Sequence, residues 1–148
     1  LLERRIENEF VPMCEHFDMG LITWAPLAHG VLAGKYSRAD DIPEGSRGSR
    51  RSVFAERITE EGIAVGNSVV NMADDLGITP AQFAAAWILH QPGITAEILG
   101  PRNLGQLEDM LPALEVELPN EVLEACDELV PPGGFATNFF NTSKWVKS

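Results

Sequence analysis

The chain has 148 residues, 45% hydrophobic and 22% charged, the balance of a folded domain and not of a disordered segment. Its formal net charge is −11, from 11 Lys+Arg against 22 Asp+Glu, which argues against sequence-independent binding to nucleic acid or to anionic lipid. No apolar run approaches the ~18 residues of a membrane span, and the opening residues carry no secretory-signal pattern.

Residues 1–9 read as polar and irregular. A short helix is predicted over Val11 to Phe17, with Pro12 in its first turn, where the missing N–H costs nothing. Phe10, Cys14 and Phe17 share its expected inner face. Leu21 to Ala25 is an apolar run of strand formers ended by Pro26, and it reads as a fully buried strand of a parallel sheet. Residues 27–57 form a long loop rich in Gly, Ser and Arg, a feature that is usually functional or mobile.

Helix signals resume near Thr59, with Val65, Val69, Met72, Ala73 and Leu76 on one face and Gly77 as the stop. Thr79-Pro80-Ala81-Gln82 is a strong helix start: a Thr cap, Pro at the first helical position and Gln three after the cap. Phe83, Ala84, Trp87 and Ile88 make that helix's buried stripe. Ile94 to Leu99 reads as a second strand, stopped by Gly100-Pro101. Asn103 caps a helix carrying Leu107, Met110, Leu111 and Leu114 inward. A last helix starts near Pro119, with Leu118 as a weak cap and Val122, Leu123, Cys126 and Leu129 inward. The tail from Phe135 is aromatic and polar without periodicity.

Strands alternating with helices point to α/β architecture and parallel pairing. Two such strands cannot make a stable parallel sheet alone, so the order also predicts an incomplete one. Cys14 and Cys126 are 112 positions apart and form neither a disulfide framework nor a metal-ligand cluster, so both read as buried free thiols. Few cysteines and no signal predict a cytoplasmic protein.

Ligands of parallel α/β folds bind beyond the C-terminal ends of strands. Two segments qualify: Trp24 through Tyr36, and Gly100-Pro101-Arg102-Asn103 running into a helix. Six of the 11 basic residues, Lys35, Arg38, Arg47, Arg50, Arg51 and Arg57, lie between positions 35 and 57. From Ile58 to Ser143 the only cation is Arg102, against 13 acidic residues. This pattern is either a solvated loop with an incidental arginine, or two anion-binding spots in a repulsive field. At Arg102 a helix N-terminus with a planar cationic fork beside it suits a phosphate.

Four segments carry a family resemblance. Trp24-Ala25-Pro26-Leu27-Ala28-His29-Gly30-Val31-Leu32-Ala33-Gly34-Lys35-Tyr36 resembles the (W/Y)SPLxxGxLxGKY segment after the seventh strand of aldo-keto reductases. Ile98-Leu99-Gly100-Pro101-Arg102 with Gln106-Leu107-Glu108-Asp109 resembles their IPGxR…QLxEN segment after the eighth. Leu1-Leu2-Glu3-Arg4 is similar to their YNLLxR segment, and Thr79-Pro80-Ala81-Gln82 with Ala86-Trp87 to their TPAQxALAW helix. Order and spacing hold over essentially the whole chain, nearest to the bacterial and potassium-channel β-subunit-like branch.

The resemblance implies the C-terminal portion of a (β/α)8 TIM barrel, incomplete, mostly helical, with two short parallel strands. It makes residues 1–148 one part of a single barrel domain, with 27–57 a cofactor loop and 131–148 a C-terminal extension. The implied activity is NADP(H)-dependent reduction of small-molecule aldehydes or ketones, with a non-catalytic NADP(H)-sensing regulatory subunit as the alternative. By the same resemblance, Trp24, Ala25, Pro26 and Leu27 border the nicotinamide and pyrophosphate, and Gly30 is a further cofactor-binding position. Lys35 and Arg47 belong to the loop over the pyrophosphate. Gly100, Arg102, Gln106, Asp109 and Met110 hold the 2′-phosphate and adenine.

Three positions depart from the family pattern: Ala25 stands where Ser is usual, Asp109 where Glu is usual and Met110 where Asn is usual. The family's catalytic Asp, Tyr, Lys and His have no matching positions here, and His16, His29 and His90 do not replace them. No nucleic-acid or membrane partner is expected, and a homo-oligomer is compatible with the pattern.

Overall fold

A computed structural model describes residues 1–46, 48–49 and 55–139. The elements are α1 (Ile6–His16), β1 (Ile22–Trp24), α2 (Glu60–Leu76), α3 (Pro80–Leu89), β2 (Ala96–Ile98), α4 (Leu104–Met110) and α5 (Asn120–Leu129). Short 3-10 turns cover Ala28–Gly30, Ala55–Arg57 and Leu111–Glu115. β1 and β2 pair in parallel, with Ile22, Thr23 and Trp24 opposite Ala96, Glu97 and Ile98. Thr95 sets this register, since its N–H donates to the Leu21 carbonyl at 2.9 Å and its Oγ1 accepts the Leu21 N–H at 3.0 Å.

The core lies where α2 and α3 pack together and α3 meets α4 and the Leu111–Glu115 turn. Local chemistry explains these helices. Thr59 Oγ1 accepts the Gly62 N–H to start α2, and Gly77 ends it in the left-handed conformation at φ +69°. At α3 the box is complete: Thr79 Oγ1 accepts the Gln82 N–H at 3.2 Å and Gln82 Oε1 accepts the Thr79 N–H at 3.1 Å. Val65, Val69, Ala73, Phe83, Ala84, Trp87 and Ile88 are buried as expected, and Cys14 and Cys126 are buried free thiols.

α1 departs from expectation. It starts at Ile6 and carries Pro12 in its interior, and Phe10 and Phe17 are exposed while Cys14 is buried. A long-range anchor sets its start. Arg4, almost fully buried, donates to Glu7 at 2.7 Å, to Asp127 at 2.6 Å and to the Val130 carbonyl at 2.7 Å, and lies over the Trp87 ring at 5.2 Å. Tertiary contacts of this kind override the local cost of an interior proline.

β1 is shorter than expected and is not buried: Ile22 and Trp24 are 59% and 52% exposed. A two-stranded sheet covers neither strand as neighbours on both sides would. β2 is likewise trimmed to three residues.

The 27–57 segment is not structureless. Its described residues include two 3-10 turns and an Arg38–Asp41 bridge, and they bury Val31, Leu32 and Tyr36 in the core. Leu111 and Leu114 are exposed, because Pro112 converts the end of α4 into a 3-10 turn that buries Ala113 instead. Pro119 and not Leu118 occupies the cap position of α5, and Leu129 faces outward while Val130 is buried. The tail up to Phe139 is tied down: the Ala136 and Thr137 N–H groups donate to the Leu2 carbonyl, and Glu3 bridges Phe135. No helix among the described residues is long and apolar enough to cross a membrane.

Candidate cofactor-binding site

The chain leaves β1 through a tight reversal. Ala25, Ala28 and His29 all adopt positive φ, at +57°, +46° and +62°, a conformation that is strained for residues with a Cβ. Backbone bonds hold it: Ala28 to Ala25, Gly30 to Leu27, Leu32 to Leu27 and Lys35 to Gly30, all N–H to carbonyl at 2.8–3.2 Å. Gly30 continues the reversal at φ +102°. The result turns Leu27 and His29 into the same space as Trp24 and sets Lys35 at its edge with an exposed ammonium.

The chain leaves β2 through Gly100-Pro101-Arg102. A Cβ built on Gly100 would meet nothing within 4 Å, so no neighbouring part of the protein requires a glycine there. Arg102 is exposed, and its backbone N–H donates to Gln106 Oε1 at 2.8 Å. Asn103 Oδ1 accepts the Gln106 N–H at 2.9 Å. These two bonds close the turn, and they alter one expectation. α4 has only seven residues and part of its first turn is already partnered, so Arg102 and not a helix dipole is the anion-attracting group here.

Asp109 is fixed from two sides. Thr79 Oγ1 donates to its carboxylate at 3.3 Å, and Gln82 Nε2 donates to its backbone carbonyl at 2.7 Å. The start of α3 thereby joins the end of α4, with Met110 buried beside them.

These pieces enclose one cavity of about 650 Å³, within the size range of ligand pockets. Trp24, Ala25, Pro26, Leu27, Gly30, Lys35, Gly100, Arg102, Gln106, Asp109 and Met110 all line it. Arg47 lies outside the described residues. The sequence reading missed further lining residues, among them Arg57, His29 and the Thr79-Pro80-Ala81 start of α3. Thr79 and Pro80 were visible only as a helix start. Arg57 had a signal, its place in the basic cluster, but nothing local separates it from its neighbours there.

Arg57 is the buried cation of the cavity, 4% exposed, and burial lowers its pKa below the ordinary guanidinium value. Among the described residues, the lining therefore includes two exposed cations, one buried cation, an exposed indole and an open glycine. That chemistry fits an elongated anionic nucleotide with a flat ring. A second, mainly apolar cavity of about 260 Å³ runs along β1, and Trp24, Ala25 and Pro26 line both.

The model of the aldo/keto reductase family matches residues 1–131. This chain belongs to the aldo/keto reductase family. Among its relatives in that family, it is 35% identical over 135 residues to "Uncharacterized oxidoreductase YrpG" of Bacillus subtilis, covering 90% of this chain and 39% of the relative. It is 32% identical over 115 residues to "Probable voltage-gated potassium channel subunit beta" of Oryza sativa, covering 76% of this chain and 35% of the relative. It is 30% identical over 153 residues to "Aldo-keto reductase yakc [NADP(+)]" of Schizosaccharomyces pombe, covering 97% of this chain and 45% of the relative. The chain thus spans less than half the length of these family members.

Proposed function

We propose that this chain is the C-terminal, cofactor-binding part of an NADP(H)-dependent aldo-keto reductase built as a (β/α)8 barrel. One observation carries the reading: the segments that follow two adjacent parallel strands close on one cavity, with exposed cations at both. The length supports it too, since a barrel of this kind takes about 250 residues.

In this reading Lys35 neutralises the pyrophosphate and Arg102 the 2′-phosphate. Trp24 offers a flat apolar wall to the nicotinamide, and Gly100 leaves room for close approach of the ligand. Gln106, Asp109 and Met110 border the adenine. When bound, the dinucleotide supplies the hydride that reduces an aldehyde or ketone. The residues that would donate the proton belong to the part of the barrel outside this chain, so the chain alone is expected to be inactive. Residues 27–57 act as the cofactor loop and 131–148 as the C-terminal extension, in a cytoplasmic protein.

The test is a titration of the whole protein with NADPH, followed by tryptophan fluorescence. Saturable quenching that is lost in Trp24→Leu is expected, and the absence of saturable binding would overturn the reading. A second reading, a non-catalytic NADP(H)-sensing subunit, is favoured by the names of the rice relative and of its Arabidopsis counterpart, also 32% identical. Turnover of a broad-specificity aldehyde by the whole protein separates the two.

A further inference from the structure

Arg57 closes the 3-10 turn at the end of the 27–57 segment. Its guanidinium carbon stands 5.5 Å from the centroid of the Trp24 ring and 5.0 Å from that of Phe139. Nη2 donates to the Phe139 carbonyl at 3.1 Å, and Nη1 lies 3.5 Å from His29 Nε2. His29 in turn stacks on Phe139, with centroids 5.3 Å apart and planes 23° from parallel. Among the described residues, three rings therefore lie against one guanidinium at the Trp24 end of the cavity. Lys35 and Arg102 differ from it in being exposed, whereas Arg57 is held in place.

We propose that Arg57 is a specificity-determining residue that makes this cavity prefer the reduced dinucleotide, NADPH, over the oxidised one, NADP+. The proposal rests on the reading of the cavity as an NADP(H) site with its nicotinamide end at Trp24. The two forms share every phosphate, both riboses and the adenine. They differ at the nicotinamide, which is neutral when reduced and positively charged when oxidised. A cation on an indole face is attracted by the ring quadrupole. Arg57 already takes that attraction, and its charge repels a second cation brought against the same ring in a partly enclosed site. A neutral ring meets no such repulsion. The guanidinium stays charged at neutral pH despite burial, because its ordinary pKa lies so far above 7.

The test measures dissociation constants of NADPH and NADP+ for the whole protein and for Arg57→Lys and Arg57→Met, each checked for cooperative thermal unfolding. Wild type is expected to bind NADPH tighter by about tenfold. Arg57→Lys keeps most of that ratio, and Arg57→Met brings it to within about twofold of unity. An unchanged ratio in a folded Arg57→Met protein overturns the proposal, as does a ratio lost equally in both variants, which would assign the effect to shape. If Arg57→Met does not fold, the wild-type ratio decides: a value near unity overturns the proposal, and an NADPH preference retained by Arg57→Lys supports it. Failure of both dinucleotides to bind wild type sinks the cofactor reading itself, a different outcome from an equal affinity for the two.

Discussion

Thr23 and Glu97 face each other across the parallel strand pair, and each holds a buried oxygen, Thr23 Oγ1 and Glu97 Oε2, with no hydrogen-bond partner among the described residues. Burial pushes the Glu97 carboxyl up to about 7. Its folded value therefore lies above its unfolded one, near 4.5. The folded state holds this proton more tightly. The contribution to stability is complete below the unfolded value and is lost as pH rises through about 7. Glu97→Gln, which cannot ionise, is expected to be more stable than wild type at pH 8 and to lose that advantage at pH 4. The residue is part-exposed, so the gain is on the order of 1–2 kcal/mol, less than the full shift would give. Urea unfolding of the whole protein at the two pH values checks it, and a gain independent of pH would count against it.

The contrast between two glycines tests how closely α2 packs on the segment that follows β1. A Gly→Ala change inside a helix ordinarily gains up to about 1 kcal/mol. At Gly66 in α2 a Cβ would meet the Val31 carbonyl oxygen at 2.7 Å, a backbone atom that cannot swing away. Gly66→Ala should therefore destabilise, by about 1–3 kcal/mol. At Gly105 in α4 the nearest atom is Asn103 Oδ1 at 3.6 Å, an ordinary contact. Gly105→Ala should be neutral or stabilising. Opposite shifts in melting temperature are expected, and a stabilised Gly66→Ala would mean that the loop does not hold Val31 against the helix.

Thr79 and Pro80 show why some of the fold was legible in sequence. A capping box needs only residues within one turn, so Thr79 and Gln82 define the start of α3 wherever the chain goes next. The same holds for Asn103 and Gln106. Whether Ile22 and Trp24 are buried is a different kind of fact, and both are exposed. It depends on strands that flank β1, and a run of apolar residues cannot say whether those flanks are filled. The start of α1 depends on Arg4 reaching Asp127, a contact 123 residues away along the chain. The candidate site divides in the same way. Its strand-end glycines and lone Arg102 are marked by local composition, whereas Arg57 becomes a wall residue only through the folding of the loop and the tail around it.

Thr79 also does double duty, since its hydroxyl accepts from Gln82 and donates to Asp109. Thr79→Ala removes both bonds and should lower stability by about 1–2 kcal/mol, with Thr79→Ser recovering most of the loss. The urea midpoint should fall with little change in slope, because the surface exposed on unfolding is the same. A Thr79→Ser variant as unstable as Thr79→Ala would point to the lost methyl group and not to the hydroxyl.

Arg102 offers a clean substitution, because the local turn uses its backbone and not its side chain: its N–H donates to Gln106, and Asn103 caps α4 independently. Arg102→Ala should leave the melting temperature almost unchanged. If the guanidinium holds the 2′-phosphate, its loss removes charge-assisted hydrogen bonds worth about 1.5–3 kcal/mol, or roughly ten- to a hundred-fold in affinity. NADH lacks that phosphate, so its affinity should not change. The expected outcome is a selective collapse of the preference for NADPH over NADH, read from paired dissociation constants. The effect should also shrink at high salt, since Arg102 is exposed and screened. A variant that keeps the full preference would place the 2′-phosphate elsewhere in the cavity, with Lys35 then the cation to substitute next.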